Sequence, residues 1–284
     1  MRFVLLMIIL KRRQIQTCTL IKEHYNSNAP VEKELHDSLM ELYREYLFVG
    51  GMPLSVYNYF NHDRVLSYRE IQRIILDTYT ADMTKYTEKS QSIKTIHTYE
   101  SIVPQLAKDN KKFQYKYIAR GARTSLFCES IDWLISAGAV LKCTKIARGD
   151  MPPEITRDLS SFKLYMNDIG LCSYKAGINR ENISIFDNTF MGGITENYAA
   201  NTLAAGGYEL YYWESGSKAE VDFIIVKDGV NIPVEVKADS HTRSYSLNSY
   251  MDKYNPEYAI RISSKNFGFK NSIKSVPLYA AYLI

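Results

Sequence analysis

Apolar positions change their period along the chain, and each change marks a module. From 31 to 100 they recur at three and four: Leu35, Leu39, Leu42, Tyr43 and Tyr46 in one stretch, then Ile71, Ile74, Ile75 and Thr78 after Ser67. That period predicts helices, with Gly50-Gly51-Met52-Pro53 separating them. The segments shorten between 101 and 148. Ile102 to Leu106 and Tyr115 to Ala119 each read as a short helix, and Leu126, Ile131, Leu134 and Ile135 as a third that stops at Gly138. Ala139 to Ile146 then alternates like a strand. Three short helices and a β element are the winged-helix pattern, in which the third helix can enter a DNA major groove. Beyond 160 the expected order is helix (186–205), strands (208–214, 219–227, 230–238), helix (246–255) and strand (257–263), with Val276 to Ile284 as an added strand. The fold class is therefore α/β with a mixed sheet. The predicted modules are an N-terminal stub with a helical connector (1–100), a winged-helix-like unit (101–159) and an α-β-β-β-α-β domain (160–284).

The candidate chemistry sits in the last of these. Ala219-Glu220-Val221-Asp222-Phe223-Ile224-Ile225 and Ile232-Pro233-Val234-Glu235-Val236-Lys237 flank a Lys227-Asp228-Gly229 turn signal and read as one hairpin. In the second strand Ile232, Val234 and Val236 take one face, which leaves Glu235 and Lys237 together on the other. In the first, the same parity groups Glu220 with Asp222, against Val221, Phe223 and Ile225. Two carboxylates and an ammonium then converge. Magnesium or manganese is held by one or two carboxylates plus water and substrate phosphate, so Asp222 and Glu235 are the expected ligands. Glu196, on a helix over Phe186 to Leu203 beside Asn197 and Ala200, would complete the metal shell through a water. Lys237 would orient the attacking water or steady the phosphorus. The expected reaction is phosphodiester hydrolysis.

An Asp followed by Glu-x-Lys, with an upstream helical Glu, resembles the PD-(D/E)xK, or restriction-endonuclease-like, superfamily. More narrowly, Glu196-Asn197-Tyr198, Tyr211-Tyr212-Trp213, Glu220-Val221-Asp222-Phe223 and Val234-Glu235-Val236-Lys237 resemble the C-terminal domain of a family of bacterial and archaeal AAA-type ATPases. Tyr46-Leu47-Phe48-Val49-Gly50-Gly51-Met52-Pro53, Phe162-Lys163-Leu164-Tyr165-Met166-Asn167-Asp168-Ile169-Gly170-Leu171 and Val276-Pro277-Leu278-Tyr279 agree, so the resemblance runs from about residue 15 to the end. It implies a metal-dependent nuclease-like, DNA-binding part of an AAA ATPase-type protein, with Glu196, Asp222, Glu235 and Lys237 as catalytic residues. The alternative is a catalytically silent DNA- or protein-docking module of an ATPase system.

The sequence departs from that family in two respects. No Gly-x-x-x-x-Gly-Lys-Ser/Thr loop is present, so ATP binding by that route is not expected, and an ATPase domain or partner protein would act in trans. RecB-like nucleases often add a Gln-containing helix after the Glu-x-Lys strand, whereas Leu247-Asn248-Ser249-Tyr250 holds no Gln.

Charge adds a second candidate site. Between 101 and 148 nine basic side chains, among them Lys108, Lys111, Lys112, Lys116, Arg120 and Arg123, face only three acidic ones, in a chain whose net charge is +4. Such concentration favours phosphate contact through counterion release and nominates those six residues for DNA. His241, just after the Glu-x-Lys strand, reads as surface filler. Cys18, Cys128, Cys143 and Cys172 show neither zinc nor disulfide spacing, which fits free thiols in a reducing cytoplasm. Phe3 to Leu10 followed by Lys11-Arg12-Arg13 is too short to span a bilayer and has its charge on the wrong side for a signal peptide. It reads as the stub of an ATPase half, and no membrane partner is expected.

Overall fold

The structure is a computed structural model that describes residues 15–61, 65–85, 88–183, 188–216, 219–238 and 245–284. The apolar run Phe3 to Leu10 and His241 lie outside the described residues. The chain divides into two compact units woven from separate stretches: residues 46–142 with 163–197 in one, and 1–45, 143–162 and 198–284 in the other.

The helical expectation for residues 31–100 holds across the described residues, and a further helix precedes them. Helices α1 (Ile15–Ser27), α2 (Lys33–Val49), α3 (Pro53–Phe60), α4 (Tyr68–Lys85) and α5 (Lys89–Leu106) follow one another. Pro53 opens α3 at its first turn, where a missing N–H costs nothing. On α4 the buried stripe is Ile71, Gln72, Leu76 and Met83, whereas Ile74 and Thr78 face solvent. The stripe is thus displaced around the helix from its predicted place, because Gln72 occupies a core position. Its amide donates to the Phe48 and Val49 carbonyls at 2.8 and 3.1 Å, satisfying the end of α2.

Two of the motifs that carry the family resemblance meet here. Gly50 has φ +74°, and a Cβ on it would lie 2.6 Å from Gly170 Cα. The Gly51 N–H donates to Asp168 Oδ2 at 2.6 Å, while Asp168 Oδ1 accepts the Leu171 N–H at 2.9 Å and so caps α8 (Ile169–Lys175). Burial raises the Asp168 carboxyl against the pull of backbone N–H groups from Gly51, Leu171 and Gly170. This is a packing junction between backbones, and both glycines are there because no side chain fits.

Residues 101–148 hold the end of α5, a 3₁₀ turn at Tyr115–Tyr117, α6 (Thr124–Ser136) and β1 (Val140–Ile146). Gly138, with φ +68°, ends the α6 segment as expected. Ile102 to Leu106 is the last part of the long α5, not the start of a helix. A four-residue turn α7 (Pro153–Thr156) then leads into β2 (Arg157–Met166).

An eight-stranded mixed sheet runs in the order β2-β1-β3-β4-β5-β6-β8-β7. Its remaining strands are β3 (Leu210–Ser215), β4 (Ala219–Lys227), β5 (Val230–Val236), β6 (Ala259–Ser263), β7 (Gly268–Lys270) and β8 (Ile273–Pro277). Helix α9 (Asn188–Ala205) precedes β3, and α10 (Tyr245–Tyr254) links β5 to β6. The predicted final strand is corrected: β8 ends at Pro277 and a 3₁₀ segment, Leu278–Leu283, follows. β5, β6 and β8 are parallel neighbours, and parallel strands are buried on both faces. On one face Tyr211, Trp213, Val221, Ile224 and Ala259 pack with Leu247 and Tyr250 of α10.

Candidate active site

The β4–β5 hairpin closes as its sequence dictates. Lys227 pairs with Val230, and Asp228 and Gly229 between them have φ of +52° and +80°. Positive φ at both loop positions is the type I′ turn that matches strand twist. The register then places Phe223 opposite Val234. Alternation along β5 puts Glu235 and Lys237 on one face, and the Lys237 ammonium lies 2.5 Å from Glu235 Oε1.

β4 does not keep strict parity. Tyr211 pairs with Ile224 but Trp213 with Val221, so two residues of β4, Asp222 and Phe223, stand against Tyr212 alone. The extra residue is a β-bulge, which turns the strand and re-aims a side chain. The bulge sets Val221 on the same face as Ile224, against the expected grouping of Val221 with Phe223 and Ile225; Phe223, Ile224 and Ile225 are all buried. The bulge brings the Asp222 carboxylate into the sheet plane, where Oδ2 accepts the Val236 N–H at 2.8 Å. Asp222 thereby stands in for a ladder carbonyl between Glu235 and Lys237. Asp222, Glu235 and Lys237 are brought together on one hairpin. Glu220 anchors the N-terminus of α10, its N–H donating to Ser246 Oγ at 3.2 Å.

Glu196, in the other compact unit, has a different environment. Its Oε1 accepts from Lys163 Nζ at 2.9 Å and from the Tyr165 hydroxyl at 2.6 Å, and Oε2 lies 3.1 Å from Lys111 Nζ. Lys163 is fully buried and Glu196 nearly so. Burial alone would push the Glu196 carboxyl up, but the charges of Lys111 and Lys163, with hydrogen bonds from Tyr165 and Lys163, outweigh it and hold the carboxyl well below its usual range, at about 2. The next residue, Asn197, clamps Met166, accepting its N–H at 2.8 Å and donating to its carbonyl at 3.0 Å. Lys163 and Tyr165 are partners of Glu196 that sequence reasoning missed. The signal was a lysine inside the apolar run Phe162-Lys163-Leu164-Tyr165-Met166, since a lysine buried on a strand requires a counter-charge.

The six basic residues nominated for DNA divide in two. Lys111 is drawn into the Glu196 cluster, and Lys112 is half-buried beside it in sequence, its N–H donating to Asn110 Oδ1 at 2.9 Å. Lys108, Lys116, Arg120 and Arg123 are exposed. Lys108 and Lys116 both lie over the Tyr117 ring, 4.4 and 5.0 Å from its centroid.

Among the described residues no three or more His, Cys, Asp or Glu form a group that could hold a metal. No helix among the described residues is long and apolar enough to cross a membrane.

No curated protein and no solved structure is significantly similar to this chain. Residues 191–281, which carry the hairpin, match the domain of unknown function DUF4143. Residues 40–182, which carry the glycine junction, Lys163 and the basic segment, match the domain of unknown function DUF8612. The second match spans half of the sequence, and the chain belongs to the DUF8612 family.

Proposed function

We propose that the hairpin of Asp222, Glu235 and Lys237 is a divalent-metal-dependent phosphodiesterase site acting on DNA, in a protein related to the C-terminal parts of AAA-type ATPases. The observation that carries this reading is the bulge at Asp222, which spends one residue of β4 to aim a carboxylate at the strand bearing Glu235 and Lys237. Bulges recur next to active sites, where they re-aim a side chain. Asp222 and Glu235 would hold magnesium or manganese. When bound, the metal would supply positive charge against the phosphoryl oxygens and make a water a better nucleophile. The Val236 amide fixes the orientation of Asp222, and Lys237, 27% exposed, can leave Glu235 to meet the charge that develops on the phosphate. Glu196 is outside the metal shell in this reading, because Lys163, Tyr165 and Lys111 occupy both of its oxygens. The exposed Lys108, Lys116, Arg120 and Arg123, on a segment proposed as a winged helix, would add sequence-independent affinity.

A second reading has one observation in its favour. Glu235 forms a short ion pair with Lys237 of the same strand end, as it would in a silent docking module. The deciding experiment incubates plasmid and single-stranded DNA with manganese and compares the parent with Lys237→Ala and Glu235→Ala proteins of matched stability. Cleavage by the parent that falls about a hundredfold or more in both variants supports the nuclease. No cleavage by the parent, or equal cleavage by all three, leaves the docking module.

A further inference from the structure

β6 is the strand next to the candidate site, and its sequence is Ala259-Ile260-Arg261-Ile262-Ser263. Four of its five residues are buried and the central arginine is half-buried. β6 lies between two parallel strands, with Arg261 opposite Glu235 of β5 on one side and Ser275 of β8 on the other. Directly paired residues of parallel strands share a face, about 4.8 Å apart. That face can be identified in two independent ways. Ala259, two residues before Arg261, belongs to the cluster under α10, and so does Ile224, the register partner of Pro233, which stands two residues before Glu235. Glu235, Lys237 and Arg261 therefore share the face that carries α10.

The arginine is not spent on its neighbour. The Glu235 oxygen nearest a cation is taken by Lys237. Among the described residues, the buried Nε of Arg261 has no hydrogen-bond partner. Native proteins leave few buried donors unsatisfied, and each one calls for an explanation, among them a catalytic role or an unseen water or ion. A guanidinium presents its N–H groups as a planar fork that matches the oxygens of a phosphate two at a time. Lysine cannot do this with its single ammonium.

We infer that Arg261 is the phosphate-gripping residue of this site. Its Nε–H and one terminal N–H hold two non-bridging oxygens of the phosphodiester, while Asp222, Glu235 and Lys237 address the scissile bond from the adjoining strands. Ser275, on the far side of Arg261, belongs to the same ledge and offers a hydroxyl to the same or the next phosphate. The inference rests on the nuclease reading for its substrate, but the anion site itself can be tested without cleavage.

The probe is inorganic phosphate in the absence of metal, read as a rise in melting temperature, alongside manganese-dependent cleavage of a short duplex. Parent, Arg261→Met and Arg261→Lys proteins are compared; the lysine variant keeps charge and stem if the methionine variant fails to fold. Phosphate should protect the parent by mass action, with protection abolished in Arg261→Met and reduced in Arg261→Lys, and cleavage should fall about a hundredfold in Arg261→Met. Arg261-dependent protection with no cleavage by the parent would establish the anion site and sink the nuclease reading. Cleavage and protection that are the same in parent and variants would overturn the role of Arg261 and leave the nuclease reading standing. A parent that phosphate does not protect would also overturn it.

Discussion

Glu196 and Glu235 are both buried glutamates paired with lysine, and they differ in how their surroundings close. Glu196 spends both oxygens on a fully buried Lys163, on Tyr165 and on a mostly buried Lys111. Every polar group that enters that cluster brings a partner, as a buried charge requires. Glu235 shares one oxygen with a lysine that is 27% exposed, next to an aspartate re-aimed by a bulge and an arginine whose Nε is unsatisfied. A closed cluster stabilises a fold. One that keeps a partly exposed cation and an unsatisfied donor can exchange partners.

The largest expected effect comes from opening the closed cluster. Lys163→Met leaves Glu196 short of one buried counter-charge and should destabilise the protein by roughly 3–5 kcal/mol, read as a lower midpoint in urea. An unchanged midpoint would show that Lys163 is not the partner that makes Glu196 tolerable. Acid should produce the next largest change. The Glu196 carboxyl is depressed in the folded protein, so its contribution is fully present above its ordinary value of 4.5 and is lost as pH falls towards about 2. That span corresponds to about 3 kcal/mol. Melting temperature measured from pH 5 to pH 2 should fall more steeply for the parent than for Glu196→Gln, and parallel curves would refute the assignment.

The open site should respond weakly to the same kind of change. Lys237→Met removes a partner that is 27% exposed and should cost less than Lys163→Met, even though Glu235 itself is buried. A loss as large as that of Lys163→Met would mean that Glu235 is as structural as Glu196. Smallest of all is the effect on DNA affinity. Reversing the exposed Lys108 and Lys116 should reduce the salt dependence of duplex binding by about 0.9 in log–log slope for each phosphate that is no longer neutralised. Titration at increasing salt would measure it, and an unaltered slope would remove those residues from any interface.

The division between the two glutamates was half legible in the sequence. Asp228-Gly229 gave the hairpin away because only such residues take positive φ at both loop positions, and period-two alternation placed Glu235 beside Lys237. Both are local constraints. The bulge was hidden because an extra residue in β4 is defined only against β3, and a single strand read alone keeps its parity. The partners of Glu196 were hidden for a similar reason: Lys163 is 33 residues away in sequence, on a strand that had no place in the expected order. Gly50-Gly51 and Asp168-Ile169-Gly170 were recognisable as motifs, but that they are a single junction, with each glycine excluding a side chain from the other, depends on tertiary contact. Arg261 could have been found, since a lone charge in the middle of a buried strand is the same signal that Lys163 gives.

The contrast between the two glutamates is tested most directly by calorimetric titration of manganese into the parent, Glu196→Gln and an Asp222→Asn, Glu235→Gln double variant, each shown to be folded. The account predicts that the parent and Glu196→Gln bind manganese alike and that the double variant loses the binding heat. Binding that survives in the double variant, or that disappears in Glu196→Gln, would contradict it.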